Sequence, residues 1–144
     1  MSPSPPEPHE PGHGRWKLDP QEQRQVFALP ARDRYGLFLQ LTVDWEEAWG
    51  LHSSQGWVLS SGEDGRDVLP LWPHPGFAEA CAHGAWEGTT PSSIALEELL
   101  DDLLPLLEQD GIRIAVFPTP QGEGVLVTSE ELGRDLQAEQ ALGE

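Results

Sequence analysis

Apolar residues recur at helical spacing between residues 94 and 110. Five leucines follow the i, i+3, i+4, i+7, i+11 pattern, and carboxylates occupy much of the opposite side. These leucines are Leu96, Leu99, Leu100, Leu103 and Leu107. Pro105 lacks the N–H that a helix interior requires, so we expect a kink or break near Leu104, with Pro105 beginning a last turn that Gly111 ends.

Short apolar runs bounded by turn residues predict the strands. Residues 57–59 and 68–72 flank the turn at residues 62–65, which is typical of a β-hairpin. Residues 112–117 are rich in β-branched side chains and apolar at five of six positions, so we expect them to form the central strand. Residues 125–127 predict a further strand after it.

Helices are predicted on either side of these strands. Besides the leucine-rich one, the predicted helical segments are residues 20–29, 31–41, 44–51, 76–86 and a C-terminal segment from residue 129. Pro20 suits the first helical position, and the side chains of Asp19 and Ser129 are expected to cap two of these helices. Trp45 and Trp49 are four residues apart and would stack on one helical face. Residues 87–93 have the composition of a loop.

Two hairpins that each lead into a helix predict an α+β fold. We expect one small, mainly antiparallel sheet of about four strands covered by helices. The length of 144 residues fits a single domain over residues 18–144, preceded by a disordered Pro/Gly-rich tail at residues 1–17. His9 and His13 are four residues apart in that tail, but its prolines exclude the helix that would make them a metal pair.

The charge balance narrows the choice of partners. The formal net charge is −17, and beyond residue 40 the bases are only Arg66, Arg113 and Arg134. Phosphate backbones and anionic membranes would be repelled, so we expect no nucleic-acid or membrane partner, and a basic protein is the partner that the charge permits. A single cysteine, Cys81, and the lack of a signal peptide favour a cytoplasmic location. No feature of the sequence indicates an oligomeric state.

Residues 72–83 hold the side chains with the most chemical potential. His74, Cys81 and His83 could form a metal site or a thiol–imidazole pair. On a helix, however, Cys81 and His83 would point to opposite sides, and a buried cysteine behaves as a small hydrophobe. We therefore favour a structural role for these residues and predict no metal and no cofactor.

Acidic residues on the leucine-rich helix offer a second chemical interpretation. They are Glu97, Glu98, Asp101 and Asp102. Paired carboxylates could act as general acid and base, but no histidine lies at helical spacing from them and nothing supplies a pocket that would raise a pKa. A solvated helix face is favoured, and we predict no catalytic residue.

Six tryptophans are many for a chain of this length. Tryptophan either fills a core or anchors an interface, and both interpretations stay open here. If the rings line a groove for a ligand or partner, the candidate residues are Trp57, Trp72, His74, Cys81, Trp86 and Phe117. The prolines at 118 and 120, which end the central strand, would form its rim.

A series of short motifs runs along the chain between residues 19 and 136. The motifs are Arg34-Tyr35, Phe38-Leu39, Trp45-x-x-x-Trp49-Gly50-Leu51, Gly56-Trp57, Leu69-Pro70-Leu71-Trp72-Pro73, Ala78-x-x-Cys81, Trp86, Ile94 with its leucine-rich helix, Asp110-Gly111, Val116-Phe117-Pro118-Thr119-Pro120 and Val125-Leu126-Val127. In this order and spacing they resemble a family of small bacterial proteins known as domain of unknown function 2750 (DUF2750). The resemblance supports the predicted fold, and it implies no activity.

The expected function is binding rather than catalysis. An acidic exterior with an aromatic groove predicts a non-enzymatic cytoplasmic domain that binds another protein, in an adaptor or immunity-like role. The alternative is a small-molecule-binding domain or minor enzyme that uses the region between Trp72 and His83.

Overall fold

The structure is a computed structural model that describes residues 17–62, 64–122 and 124–142. The predicted tail at residues 1–17 lies outside this part of the chain, apart from Lys17. The helices are α1 (Pro20–Phe27), α2 (Ala31–Trp45), α3 (Pro75–Ala80), α4 (Leu96–Glu98), α5 (Leu104–Asp110) and α6 (Ser129–Leu142). The strands are β1 (Glu47–Ser53), β2 (Gly56–Trp57), β3 (Ser60–Ser61), β4 (Asp67–Leu71), β5 (Thr90–Ala95), β6 (Arg113–Val116) and β7 (Val125–Val127).

Within the described residues, the strands form two sheets joined by one bridge. The first sheet has the order β2-β1-β5 and is antiparallel. The second has the order β3-β4-β6-β7, in which β4 and β6 run parallel and the outer pairs are antiparallel. Trp49 and Trp72 link the sheets, since the N–H of each donates to the carbonyl of the other at 2.8 Å. The α+β class is confirmed, with more strands than the sequence indicated.

The prediction of a helical turn over residues 44–51 is wrong. Trp45 ends α2, and Glu46 adopts a left-handed conformation with φ 59° that redirects the chain into β1. Trp45 and Trp49 therefore belong to different elements and do not stack as a helical pair. The reason lies in tertiary pairing: β1 is buried at five successive positions between β2 and β5, and this burial outweighs local propensity.

The loop predicted at residues 87–93 is also wrong in its second half. Residues 90–95 form β5, which pairs with β1 from Thr90 opposite His52 to Ala95 opposite Glu47. Pro91 is tolerated because β5 is an edge strand, where one missing donor need not break the ladder.

The predicted hairpin is present, but its first strand lies three residues later than expected. Ser60 and Ser61 pair with Val68 and Asp67, whereas Trp57 pairs with His52 in the other sheet. The helix predicted over residues 76–86 is shorter: α3 ends at Ala80, and a 3-10 turn covers Gly84–Trp86.

The leucine-rich helix has the interruption that Pro105 predicts. Between α4 and α5 the segment Leu99–Leu103 is a π-helix, and Pro105 lies in the first turn of α5. The wider turn accommodates a residue that cannot donate a backbone hydrogen bond. Gly111 ends α5 with φ 72°, as predicted.

The N-terminal caps differ from the prediction. Pro20 begins α1, but Asp19 makes no side-chain cap hydrogen bond. Thr128 rather than Ser129 caps α6: the Glu131 N–H donates to Thr128 Oγ1 at 3.1 Å, and the Thr128 N–H donates to Glu131 Oε1 at 2.9 Å. This reciprocal capping box needs a glutamate three residues after the cap, and Glu131 stands at that distance from Thr128.

The core lies between the sheets and helices α2, α3, α5 and α6. Its largest fully buried side chains are Trp72, Phe38, Phe77, Phe117, Leu51, Leu69, Leu71, Leu99, Ile114, Leu132, Leu136 and Val116. Gly124 is required where the chain enters β7, because an added Cβ would lie 1.9 Å from the Val116 carbonyl oxygen. In the part of the chain that is described, no helix combines the length and apolarity needed to cross a bilayer.

Candidate functional site

The six residues predicted to line a groove do not meet at one surface. Trp72 and Phe117 are fully buried and Cys81 is 4% exposed, so these three belong to the core. Trp86 and His74 are partly buried beside them. Trp57 lies elsewhere, on β2, and borders a separate surface groove.

We call the buried residues Trp72, Phe77, Cys81 and Phe117, together with the partly buried Trp86, the Trp72 cluster. The Trp72 indole Nε1 donates to the Pro118 carbonyl at 2.9 Å, and Cys81 Sγ lies 3.5 Å from the same oxygen. The ring centroids of Phe77 and Phe117 are 4.7 Å apart, and those of Trp72 and Trp86 are 6.1 Å apart in an edge-to-face arrangement. The polar atoms of Trp72 and Cys81 thus have a partner within the protein.

The parallel pairing of β4 with β6 creates this cluster. Leu71 lies opposite Val116, so the residues that follow the two strands are brought side by side at their carboxyl ends. In open α/β sheets that edge commonly receives a ligand. Here aromatic rings occupy it, and the two proline-containing motifs supply Trp72 and Phe117.

Phe117 holds an unusual backbone conformation at this edge. Its φ is 60°, in the left-handed region that residues other than glycine seldom adopt. The Phe117 N–H donates to the Leu71 carbonyl at 2.8 Å, and Arg34 Nε donates to the Phe117 carbonyl at 3.0 Å. Arg34 also donates to the Leu29 carbonyl at 2.6 Å and is 6% exposed. A buried guanidinium therefore fixes the strained residue by binding main-chain oxygens.

His74 and Cys81 have structural roles in this arrangement, whereas His83 has none that the structure shows. His74 caps α3, because its Nδ1 accepts the Gly76 N–H at 2.9 Å, and His83 is exposed. Burial raises the pKa of the Cys81 thiol to about 12, so the thiolate needed by a nucleophile or a metal ligand is disfavoured. Among residues 17–62, 64–122 and 124–142, no group of three or more His, Cys, Asp or Glu side chains is placed to hold a metal ion. The expectations of no catalytic residue and no cofactor stay predictions.

The partly exposed site is a groove that we call the Trp57 groove. It has a volume of about 150 Å³ and is lined by Trp57, Ile94, Glu98, Asp102, Leu103 and Leu106. Ile94 is 3% exposed, whereas Leu106 is 52% exposed. The groove therefore combines a buried aliphatic floor with apolar side chains that solvent reaches.

Three elements position the Trp57 groove. β2 and β5 pair with opposite edges of β1, and the leucine-rich helix follows β5 directly. Gly50 on β1 lets the Trp57 ring approach, since an added Cβ would lie 3.0 Å from that ring. The His52 ring packs edge-to-face against Trp57 with centroids 5.0 Å apart. Gly50 and His52 thus hold the indole in position.

Carboxylates form the rim of the Trp57 groove. Glu98 and Asp102 line it, and Glu97 and Asp101 lie beside them on the same helix. In the described part of the chain, no lysine, arginine or histidine lies within ion-pair distance of these four carboxylates. The rim therefore presents negative charge that no basic residue of the described chain neutralises.

Sequence reasoning missed Ile94, Leu103 and Leu106 as groove residues. Leu103 belongs to the predicted leucine stripe, and Glu98 and Asp102 lie on the predicted solvated face. Ile94 begins the predicted helical segment but belongs to β5 in the structure. Leu106 carried a usable signal, because it stands off the predicted leucine stripe and neighbours Leu107, which is 5% exposed. A single exposed aliphatic residue is ordinary, and Leu106 is informative because Trp57, Ile94 and Leu103 lie around the same groove.

Comparison with known proteins gives one positive finding. The family model described as "Protein of unknown function (DUF2750)" matches residues 35–136, which is more than two thirds of the chain. Comparisons with curated proteins and with solved structures give no significant match.

Proposed function

Because the chain belongs to the DUF2750 family, whose description assigns no activity, we propose a function from the surface of this chain itself. In this proposal the chain is a non-enzymatic cytoplasmic domain whose Trp57 groove binds a basic amphipathic helix of a partner protein. The exposure of Leu106 carries the proposal, since this side chain is 52% accessible in a groove that Trp57 also lines. An adaptor or immunity-like role fits a contact of this kind.

The size of the groove favours a protein side chain over a free ligand. Its volume is about 150 Å³, whereas sites for small molecules usually have about 300–1,000 Å³. One or two aliphatic side chains at helical spacing fill such a space. Trp57 supplies the rigid aromatic surface that commonly anchors protein interfaces, and Leu106 adds aliphatic surface beside it.

The charge of the rim favours a basic partner. Glu98 and Asp102 repel each other along one helix, which costs the free protein a few tenths of a kcal/mol. Lysine or arginine side chains flanking an inserted apolar residue would relieve that repulsion. Opposite charge would also speed association, and added salt would weaken it.

A designed peptide tests the proposal with the whole chain. The probe is a helical peptide of leucine and lysine with one apolar face, and the matched probe replaces each lysine with glutamate. The lysine peptide should shift the Trp57 indole N–H resonance saturably in an NMR titration, and the glutamate peptide should not. Leu106→Asp should abolish the shift, whereas Leu126→Asp, at a site of similar exposure outside the groove, should leave it unchanged.

A second pair of variants separates the rim from general electrostatics. Glu98→Gln with Asp102→Asn removes two charges from the groove, and Glu97→Gln with Asp101→Asn removes two charges from the same helix outside it. The rim pair should weaken binding about three- to tenfold, and the control pair should have a smaller effect. Equal losses in the two pairs, or saturation that survives Leu106→Asp, would contradict the proposal.

The alternative of a small-molecule site in residues 72–83 stays a prediction. Nothing beyond the residue types found there supports it, because His74 caps a helix and Cys81 is buried against Pro118.

A further inference from the structure

A second concave site lies on the face of the four-stranded sheet that points away from the core. We call it the Arg113 cleft, and it has a volume of about 330 Å³. Its main lining residues are Ser60, Asp64, Val68, Arg113, Ala115 and Leu126. This volume falls in the range of sites for small molecules, in contrast to that of the Trp57 groove.

Strand register explains which side chains share this cleft. Ser60, Val68 and Arg113 stand in one row across β3, β4 and β6, and Ala115 pairs with Leu126 in a second row. Residues that pair directly across strands point to the same face. Leu126 is 46% exposed, so the floor carries apolar surface that solvent reaches.

Arg113 is incompletely satisfied by the protein. A single guanidinium nitrogen, Nη2, donates to both Asp64 oxygens at 2.8 Å. Arg113 Nε is buried and has no hydrogen-bond partner in the structure. A carboxylate that binds an arginine side-on usually takes one hydrogen bond from each of two nitrogens, and an unpaired buried donor is costly. Asp64 thus binds Nη2 of Arg113 but leaves the Nε donor of that side chain without a partner.

Asp64 is positioned so that it can leave. It is exposed on the turn between β3 and β4, where its Oδ1 also accepts the Arg66 N–H at 3.1 Å. The Arg66 side chain lies 3.8 Å from its other oxygen. Its contacts to Arg66 would remain if the bond to Arg113 broke. Displacement therefore exchanges one ion pair without leaving the carboxylate unpartnered.

We propose that the Arg113 cleft binds a small carboxylic acid with an apolar body, whose carboxylate displaces Asp64 and bridges Nε and Nη2 of Arg113. The apolar body covers Val68, Ala115 and Leu126, and the Ser60 hydroxyl lies at the side of the cleft. Asp64 acts as an internal competitor that keeps the guanidinium paired while the cleft is empty. This site is independent of the Trp57 groove, so failure of either leaves the other intact.

Hexanoate is a suitable probe, with hexanamide as the neutral match. In an NMR titration of the full chain into the millimolar range, hexanoate should shift the Arg113 Nε–H and Asp64 backbone resonances saturably. Hexanamide should not. Acetate should bind about tenfold or more weakly, because it lacks the methylenes that would cover the floor.

Two variants probe the competitor and the anchor. Asp64→Asn removes the internal carboxylate and should tighten hexanoate binding about two- to fivefold, the range expected when an exposed ion pair no longer competes. Arg113→Gln should abolish binding, and Arg134→Gln, which removes an exposed arginine outside the cleft, should not affect it.

The proposal is overturned by several results. Equal binding of hexanoate and hexanamide would contradict it, and so would an Asp64→Asn variant that binds hexanoate no more tightly than wild type. The absence of a saturable shift in both wild type and Asp64→Asn would also contradict it. Equal affinity for acetate and hexanoate would overturn the apolar part. If Arg113→Gln fails to fold, the comparison of wild type with Asp64→Asn still decides.

Discussion

The Trp72 cluster and the Trp57 groove each hold a tryptophan, but the two rings differ in burial and in the residues around them. The Trp72 indole donates to a main-chain carbonyl and the ring is fully buried. Trp57 is partly exposed, packs on a glycine and stands in a groove with carboxylates that lack a basic neighbour among the described residues. The difference teaches that the number of tryptophans says little about function until the partners of each ring are known.

The largest expected effect comes from truncating the two rings, Trp72 and Trp57. Trp72→Ala should lower the free energy of unfolding by about 3–5 kcal/mol, because it empties a closed core. Trp57→Ala should lower it by only about 1–2 kcal/mol, since solvent already reaches that site. Chemical denaturation followed by circular dichroism measures both. Equal losses would show that Trp57 is as much a core residue as Trp72.

Removal of the buried guanidinium should have the next largest effect. Arg34→Met keeps the length of the side chain but leaves the Leu29 and Phe117 carbonyls without their donor. We expect a loss of about 2–3 kcal/mol in the free energy of unfolding. The matched exposed variant Arg32→Met should change it by less than about 0.5 kcal/mol. A similarly small change for both arginines would show that Arg34 does not stabilise the Trp72 cluster.

The buried thiol should make stability fall in alkali. Burial raises the pKa of Cys81 from its ordinary value of 9.0 to about 12. Between these values the folded state keeps a proton that the unfolded state has released, so the free energy of unfolding falls as pH rises. The slope is about 1.4 kcal/mol per pH unit for one proton.

Cys81→Ala should lack this component, and the difference between the two proteins isolates it from other titrating groups. Thermal melting from pH 8 to pH 11 measures that difference. Parallel curves for the two proteins would mean that the thiol is not buried as described. Slow reaction of wild-type Cys81 with a thiol reagent at neutral pH is the accompanying expectation.

The smallest expected effect has the opposite sign. Glu98→Gln removes one member of a repelling pair at the Trp57 groove and should raise the free energy of unfolding by about 0.2–0.5 kcal/mol. The same change should weaken binding of the lysine peptide. A gain in stability together with a loss of peptide binding would show that Glu98 serves binding rather than folding. In the Trp72 cluster, by contrast, every substitution is expected to destabilise the protein. A loss of stability would instead place Glu98 in a structural contact.

Local chemistry predicted some elements well. β6 was predictable because Ile114 and Val116 favour a strand and Gly111 marks its beginning. The interruption before Pro105 followed from the missing N–H alone. β5 was not predictable in the same way, because Thr90, Pro91 and their serine neighbours have loop composition and form a strand only through pairing with β1.

Strand pairing also explains why the predicted groove residues lie at two separate places. Trp57 and Trp72 are close in sequence and similar in type, yet Trp57 joins β1 while Trp72 ends β4 beside β6. Sequence spacing contains no information about which of two sheets a strand joins. The acidic helix was predicted except for residues 94 and 95, which belong to β5, but the groove beside it depends on Gly50, whose distance from Trp57 is visible only in three dimensions.

The two sheets alternate along the chain. β1 and β2 pair in one sheet with β5, and β3 and β4 pair in the other sheet with β6 and β7. In the chain, β5 therefore lies between β4 and β6 of the other sheet. Any cut in the chain between residues 71 and 90 would therefore leave each sheet without a strand that it needs. Fragments made at that junction should be unable to fold separately, and the intact chain should unfold in a single cooperative transition.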